Sequence, residues 1–568
     1  MLTTRTSLAV AMLALSALAL PVSAQTFRVQ CPDRTALHPA GADGIKCQQI
    51  SGGDGFATMA DGTQTYLFAF GPLSGLRDIY RGLPGTQPQS IFMQPSPVGV
   101  GAPSNLVGMP DGAFTFNGGI GLAPDPSVAD DPACSSGSPP SYCTTGLDGH
   151  VDPRPIMDVG VMNGSQPAPL MAIDEDDEFF LTLTNVGQVM RPDLFEQHTV
   201  HFHGYPNASG FYDGVPDASV AINIGGSFTY YYLAPEAGTY FWHCHITPPE
   251  HLEMGMVGQL YVRPRQNHIT SGTLYSALTS ANIASARPAG NSDGWNGATC
   301  NDVLCSGQTP LPPANTATHQ LNKSSQTTLY AYNDGDGSTA YDVEYPLQMH
   351  GFDPNFHFVG MTFNPESFTD LKDKYFLLNG RSYPDTVGGY TCAAGDSLPA
   401  CSGKAAGTIV PGPMTTQSTD GTLHASQPMP AVINIPVGGR ALLRISDLNV
   451  SEFHTLASLG IPMHVIAINA RLLRDTAGNN TAYDSNSITL GGGESLDVIL
   501  DACSARHPDG SCNNAANSYQ AGQKFYLYTP QLDHLSNDAE NFGGMMTDVN
   551  ICTSVDPITK VGTGCPST

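Results

Sequence analysis

The stretch Tyr240-Phe-Trp-His-Cys-His245 is dense in aromatic residues, as β-strands are, and ends in two histidines that flank a cysteine. Gly238-Thr239 lead into it, and Gly225-Gly-Ser-Phe-Thr-Tyr230 reads as a strand just before. The same succession recurs later in the chain. Gly492-Gly-Glu-Ser-Leu-Asp497 is followed by Ala521-Gly-Gln-Lys-Phe-Tyr526. Upstream, Pro169-Leu-Met-Ala-Ile173 and Phe180-Leu-Thr-Leu-Thr184 have counterparts in Pro430-Ala-Val-Ile-Asn434 and Ala441-Leu-Leu-Arg-Ile445. Similar β units in tandem predict two sandwiches produced by duplication. The bulk composition agrees: 61 Gly and 45 Pro against 23 Lys+Arg suit an all-β chain with many turns.

These signals predict a domain order. Residues 1–24 carry a short apolar run (Leu8 to Pro21) and a small-residue stretch, Val22-Ser-Ala24, which together read as a signal peptide. Residues 25–64 read as a disulfide-tied extension. The first β domain is expected over 65–265, with a Gly-, Pro- and Ser-rich insertion at about 95–150. A linker covers 266–324, a second β domain 325–555, and a tail 556–568. The protein is expected to be periplasmic or secreted, with no membrane span.

Charge and cysteines narrow the partners and the compartment. A formal net charge of −27 argues against nucleic acid and anionic membranes, and suits cationic donors. Twelve of the 13 cysteines form close pairs in sequence: 31/47, 134/143, 300/305, 392/401, 503/512 and 552/565. In an exported chain these predict six local disulfides. Cys244 is left over, and a metal ligand is a protected state for a lone thiol outside the cytoplasm.

Strand parity then sorts the histidines. Side chains alternate between faces along a strand. In His198-Thr-Val-His-Phe-His-Gly204, His201 and His203 share a face and His198 points the other way. In His243-Cys-His245, the histidines share a face and Cys244 points away. Two donor sets follow. Cys244 and His198, completed by His251 and Met256 from the next loop, make the thiolate, imidazole and thioether set of a type 1 (blue) copper. Met254 competes with Met256 for the thioether. The second set is His201, His203, His243 and His245; the family resemblance described next implies that it holds a second copper centre of type 2 or type 2/3.

His-x-x-His-x-His-Gly and His-Cys-His followed by His251 and Met256 resemble the copper motifs of the multicopper oxidase superfamily, laccases among them. The likeness covers most of residues 65–552 and implies two tandem cupredoxin-like Greek-key sandwiches. Copper in the first domain is the order of two-domain members and of the related copper nitrite reductases. In the second copy, Leu527-Tyr-Thr529 replaces His-Cys-His, so no blue copper is expected there. The likeness implies an oxidoreductase. A small-molecule, metal-ion or redox-protein donor would give electrons to Cys244, and His203 and His243 would serve the catalytic centre, with dioxygen as acceptor.

Departures from the family keep two further readings open. A complete trinuclear cluster there uses four His-x-His pairs, and this chain offers two. A nitrite-reductase-like enzyme would place one catalytic copper between His203, His243 and a second-domain histidine of a neighbouring subunit in a homotrimer. His534 is the best candidate for that ligand and His454 the next. The Asp expected three residues after His198 is His201 instead. A non-enzymatic blue-copper carrier or copper-handling protein is the third reading.

Overall fold

The computed structural model describes residues 28–39, 44–95, 116–205, 209–234, 236–268, 329–362, 367–417, 423–507, 510–515 and 519–566. The expected signal peptide, most of the linker and the Cys300/Cys305 pair lie outside the described residues.

The first sandwich is built from β1 (Ile45–Thr58), β2 (Gln64–Pro72), β3 (Met171–Asp174), β4 (Glu178–Gly187), β5 (His201–Phe202), β6 (Ser227–Leu233), β7 (Gly238–His243) and β8 (Val257–Arg263). One sheet runs β2–β1–β4–β6, and the facing sheet runs β3–β8–β7–β5. The second sandwich follows with β9 (Val343–Phe352), β10 (Tyr375–Leu378), β11 (Ile433–Pro436), β12 (Arg440–Asp447), β13 (His454–Leu459), β14 (Met463–Ile468), β15 (Ser487–Leu490), β16 (Ser495–Asp501), β17 (Lys524–Tyr528) and β18 (Met546–Cys552). Its sheets contain the orders β10–β9–β12–β16–β14 and β11–β18–β17–β13–β15.

The two halves repeat one wiring. β1 pairs with β4 in parallel, and β4 with β6 antiparallel. Likewise β9 pairs with β12 in parallel, and β12 with β16 antiparallel. In the facing sheets, the parallel pair β3/β8 matches the parallel pair β11/β18. The repeat read in the sequence is thus visible in strand order: β4 answers β12, β6 answers β16 and β7 answers β17. The fold is all-β, two tandem cupredoxin-like sandwiches.

One strand falls where the sequence placed only an extension. Ile45–Thr58 is a 14-residue central strand, buried along nearly its whole length. Its glycines hid it, and close approach explains them. A Cβ at Gly53 would lie 2.7 Å from the Gly187 carbonyl oxygen, and one at Gly55 would lie 2.4 Å from that of Gly164. The Cys31–Cys47 disulfide ties the preceding segment to β1. That segment packs with Ile120, Leu122 and Leu147 from the expected insertion, and with Cys47 of β1 and Phe180 of β4, in a third apolar cluster. Cys134–Cys143, Cys392–Cys401, Cys503–Cys512 and Cys552–Cys565 are also bridged, so five of the six expected disulfides are present among the described residues.

Polar side chains join the two sandwiches. Thr239 of β7 donates to Asp497 of β16 (2.5 Å), and Gln259 of β8 donates to the Arg444 carbonyl of β12 (2.9 Å). Arg263 of β8 pairs with Glu344 of β9 at 2.6 Å, and Arg444 reaches the same carboxylate at 3.0 Å. No helix among the described residues is long and apolar enough to cross a membrane.

Candidate metal centre

β7 ends at His243, which pairs with His201 of β5. The chain then passes through Cys244 into the short helix Pro248–Glu253 and returns along β8. The Cys244 N–H donates to the Met256 carbonyl (3.1 Å), which closes this loop on itself. His198 stands before β5, paired through its backbone with Ile222.

The loop brings His198, Cys244 and His251 together, with donor atoms all within 4.8 Å of one another. All three are fully buried, and Met254 and Met256 lie in the same apolar cluster as Cys244. His251 Nδ1 is 3.2 Å from Cys244 Sγ. The Thr199 N–H points at the same sulfur (3.4 Å). Burial alone would raise the Cys244 thiol, but the His251 and His198 imidazoles outweigh it and hold it well below the usual thiol range. Burial would likewise lower His251, yet the Cys244 thiolate and the Glu196 carboxylate hold it up at about 10. Both ring nitrogens of His198 lack a hydrogen-bond partner although the ring is buried. An uncompensated buried imidazole is costly, and a metal would resolve it.

The second set gathers on the opposite face of the same strands, as parity requires. Ring centroids lie 5.4 Å apart for His201/His203 and for His201/His243, 5.0 Å for His201/His245 and His203/His243, and 5.4 Å for His243/His245. The donor atoms of His201, His203 and His243 lie within 4.8 Å of one another. His245 adjoins this trio. His243 Nδ1 bonds the Cys244 carbonyl oxygen (2.6 Å), and His201 Nδ1 bonds the Asp213 carbonyl oxygen (2.7 Å). His203 bonds the Gly493 backbone. Burial pushes His203 down to about 4 and His243 down to about 3, so both rings are neutral at pH 7. Their Nε2 atoms face each other at 3.0 Å. With the other nitrogens donating, these are two lone pairs pointed at one another, an arrangement that a shared cation stabilises.

Two glycines belong to these sites and escaped sequence reasoning. A Cβ at Gly52 of β1 would sit 2.7 Å from His198 Cδ2, and one at Gly493 would sit 2.8 Å from the His203 ring. Each lets backbone close over a histidine. Gly493 also shows that a second-domain turn roofs the second set. Its Gly-Gly pair is visible in sequence, but only as a turn.

His534 does not join either set within this chain. It is buried in the second domain, stacked on Phe376 at 3.7 Å, with its Nε2 3.4 Å from Glu452. His454 is its neighbour, with ring centroids 5.9 Å apart. Glu253, on the loop behind His251, faces Asp353 and His357 of the second domain.

The family profile described as Multicopper oxidase matches residues 149–267, which contain every first-domain donor. Over this first-domain stretch the chain resembles the multicopper oxidase superfamily. Copper is the cofactor that this resemblance implies, and both donor sets fit it. A multicopper oxidase of Talaromyces pinophilus is 34% identical over 112 residues, 19% of this chain and 17% of that protein. A copper-containing nitrite reductase of Rhizobium meliloti is 36% identical over 115 residues, 19% of this chain and 27% of its own length. The matched stretch thus spans well under half of these multicopper oxidase relatives. A blue copper oxidase of Nitrosomonas europaea aligns at 15% identity over 89% of this chain and 85% of that one, with a TM-score of 0.43.

Proposed function

We propose that the protein is an exported copper-dependent oxidoreductase of the multicopper oxidase type, which takes electrons from a reduced donor and gives them to dioxygen. The observation that carries this reading is the adjacency of the two donor sets. Cys244 belongs to one and His243 to the other, and they are consecutive residues. Copper held there supplies one-electron redox chemistry and, at the imidazole set, reduction of dioxygen.

The chain's own residues do the rest. Cys244, His198 and His251, with Met256 on the returning loop, hold the first ion away from water. The peptide between His243 and Cys244 is a short covalent path between the sets. The bond from His243 Nδ1 to the Cys244 carbonyl shortens it further. It also fixes the tautomer that leaves Nε2 free for metal, as outer bonds to ligand imidazoles do. His201 is oriented in the same way by Asp213, and His203 by Gly493. The donor is a small molecule, a metal ion or a redox protein.

Copper per polypeptide, measured after full loading and desalting, tests the reading. Two or more per chain is expected, with the second lost in a His203→Ala, His243→Ala double variant. One per chain would overturn it in favour of a blue-copper carrier. The likeness to copper nitrite reductases favours one second reading, a homotrimer in which a second-domain histidine of a neighbouring subunit completes a site on His203 and His243; His534, 2% exposed and stacked on Phe376, would have to turn outward to serve. Nitrite consumption without oxygen, absent in a monomeric preparation, would select it.

A further inference from the structure

Away from both donor sets, the second domain gathers carboxylates and imidazoles. One donor atom each from Asp373, Glu452 and His454 lies within 4.8 Å of the others. Asp373 and His454 are 4% and 0% exposed, while the Glu452 side chain is 37% exposed and opens the cluster to solvent. Asp373 Oδ2 accepts from the Ser451 hydroxyl (2.7 Å), but its Oδ1 is buried with no hydrogen-bond partner. His454 Nδ1 lies 3.3 Å from Asp447 Oδ1. His534 stands beside Glu452, and its buried Nδ1 also has no partner.

Two carboxylates and an imidazole close on one point with a buried oxygen unsatisfied, an arrangement that a bound cation would stabilise. From this geometry we propose that Asp373, Glu452 and His454 bind a divalent first-row transition-metal cation within a single chain. The donors are carboxylate oxygen and imidazole nitrogen with no sulfur, which suits an ion of the Mn2+ or Fe2+ kind over Cu+. The net charge of −27 concentrates cations around the mouth that Glu452 provides. The site shares no residue with the two first-domain donor sets; His454 is also the second-choice ligand of the nitrite-reductase-like reading, and the His203→Ala chain below separates the two.

The test is Mn2+ titration of the full chain, copper-loaded, treated briefly with a chelator to clear weakly held copper from oxygen donors and desalted, read by the loss of the free-ion magnetic resonance signal. Mn2+ stands lowest in the affinity order of these ions, so it does not displace copper from nitrogen and sulfur donors. One Mn2+ per chain is expected. Asp373→Asn and Glu452→Gln should each weaken it by at least the ~10–100-fold that loss of an outer-sphere partner costs. Glu452 is partly exposed, so its variant keeps the fold. The thiolate–copper absorption should be unchanged in both. A His203→Ala chain should bind Mn2+ as the parent does. Absence of Mn2+ uptake, uptake indifferent to both carboxylate variants, or uptake lost in His203→Ala would each overturn the proposal. The last result would assign the ion to the first-domain histidines instead.

Discussion

Glu196 touches the metal set without belonging to it. Its carboxylate lies 3.4 Å from His251 Nε2, while the other nitrogen of that ring faces Cys244. A ligand imidazole held from behind keeps its orientation and gains basicity, and losing such a partner typically costs ~10–100-fold in metal affinity. Glu196→Ala should therefore weaken copper at Cys244 by that factor, measured by competition with a chelator, and leave the His203/His243 centre filled. Equal affinity in the two proteins would show that Glu196 has no part in holding the ring. The donor sets themselves were legible because strand parity is local: His201, His203, His243 and His245 had to share a face once they lay on strands. Glu196, Gly52 and Gly493 were not legible. Each arrives from another part of the chain, and its contact exists only after the sheets have packed.

At the scale of elements, β1 carries a buried acid with a consequence for pH. Asp54 accepts from the Tyr66 hydroxyl (2.6 Å) and from the Met190 N–H (2.7 Å), yet burial still raises it from 3.8 to about 6. The folded state then keeps a proton that the unfolded chain has released, so stability falls as pH rises from about 4 to about 6. A shift of this size corresponds to about 3 kcal/mol. Denaturant unfolding of Asp54→Asn across that window should show a shallower fall than the parent; parallel curves would remove Asp54 as the cause. β1 is also the element that the sequence concealed. A run of Gly52, Gly53, Asp54 and Gly55 looks like loop composition, because the reasons for those glycines lie on the His198 ring, the Gly187 carbonyl and the Gly164 carbonyl. β4, β6 and β7 were readable because their apolar and aromatic residues speak for themselves.

Across the whole molecule, the sandwiches are joined through a buried charge network. Arg444 is fully buried between Glu344 (3.0 Å) and Asp497 (3.9 Å), and Arg263 from the first sandwich shares Glu344. Removing one member of such a network leaves a charge without its partner, which typically costs ~3–5 kcal/mol. Arg444→Met should lower stability by that amount in chemical unfolding; a loss below about 1 kcal/mol would mean that the remaining hydrogen bonds to Asp497 suffice. The tandem plan was legible because the copies kept their order of apolar stretches; the joining charges, scattered over β8, β9, β12 and β16, carry no such pattern. The parallel pair of β1 with β4, matched from Ile45↔Glu178 onward, also bears on how the chain is made. A ribosome releases β1 long before β4, and a parallel pair cannot close through a hairpin. Until β4 emerges, β2 guards one edge of β1 and the other edge is open to any extended chain nearby. Translation therefore delivers the central strand of the first sandwich well before it can be used, and a holding factor that keeps the nascent chain unpaired until β4 is complete would favour a high yield of folded protein.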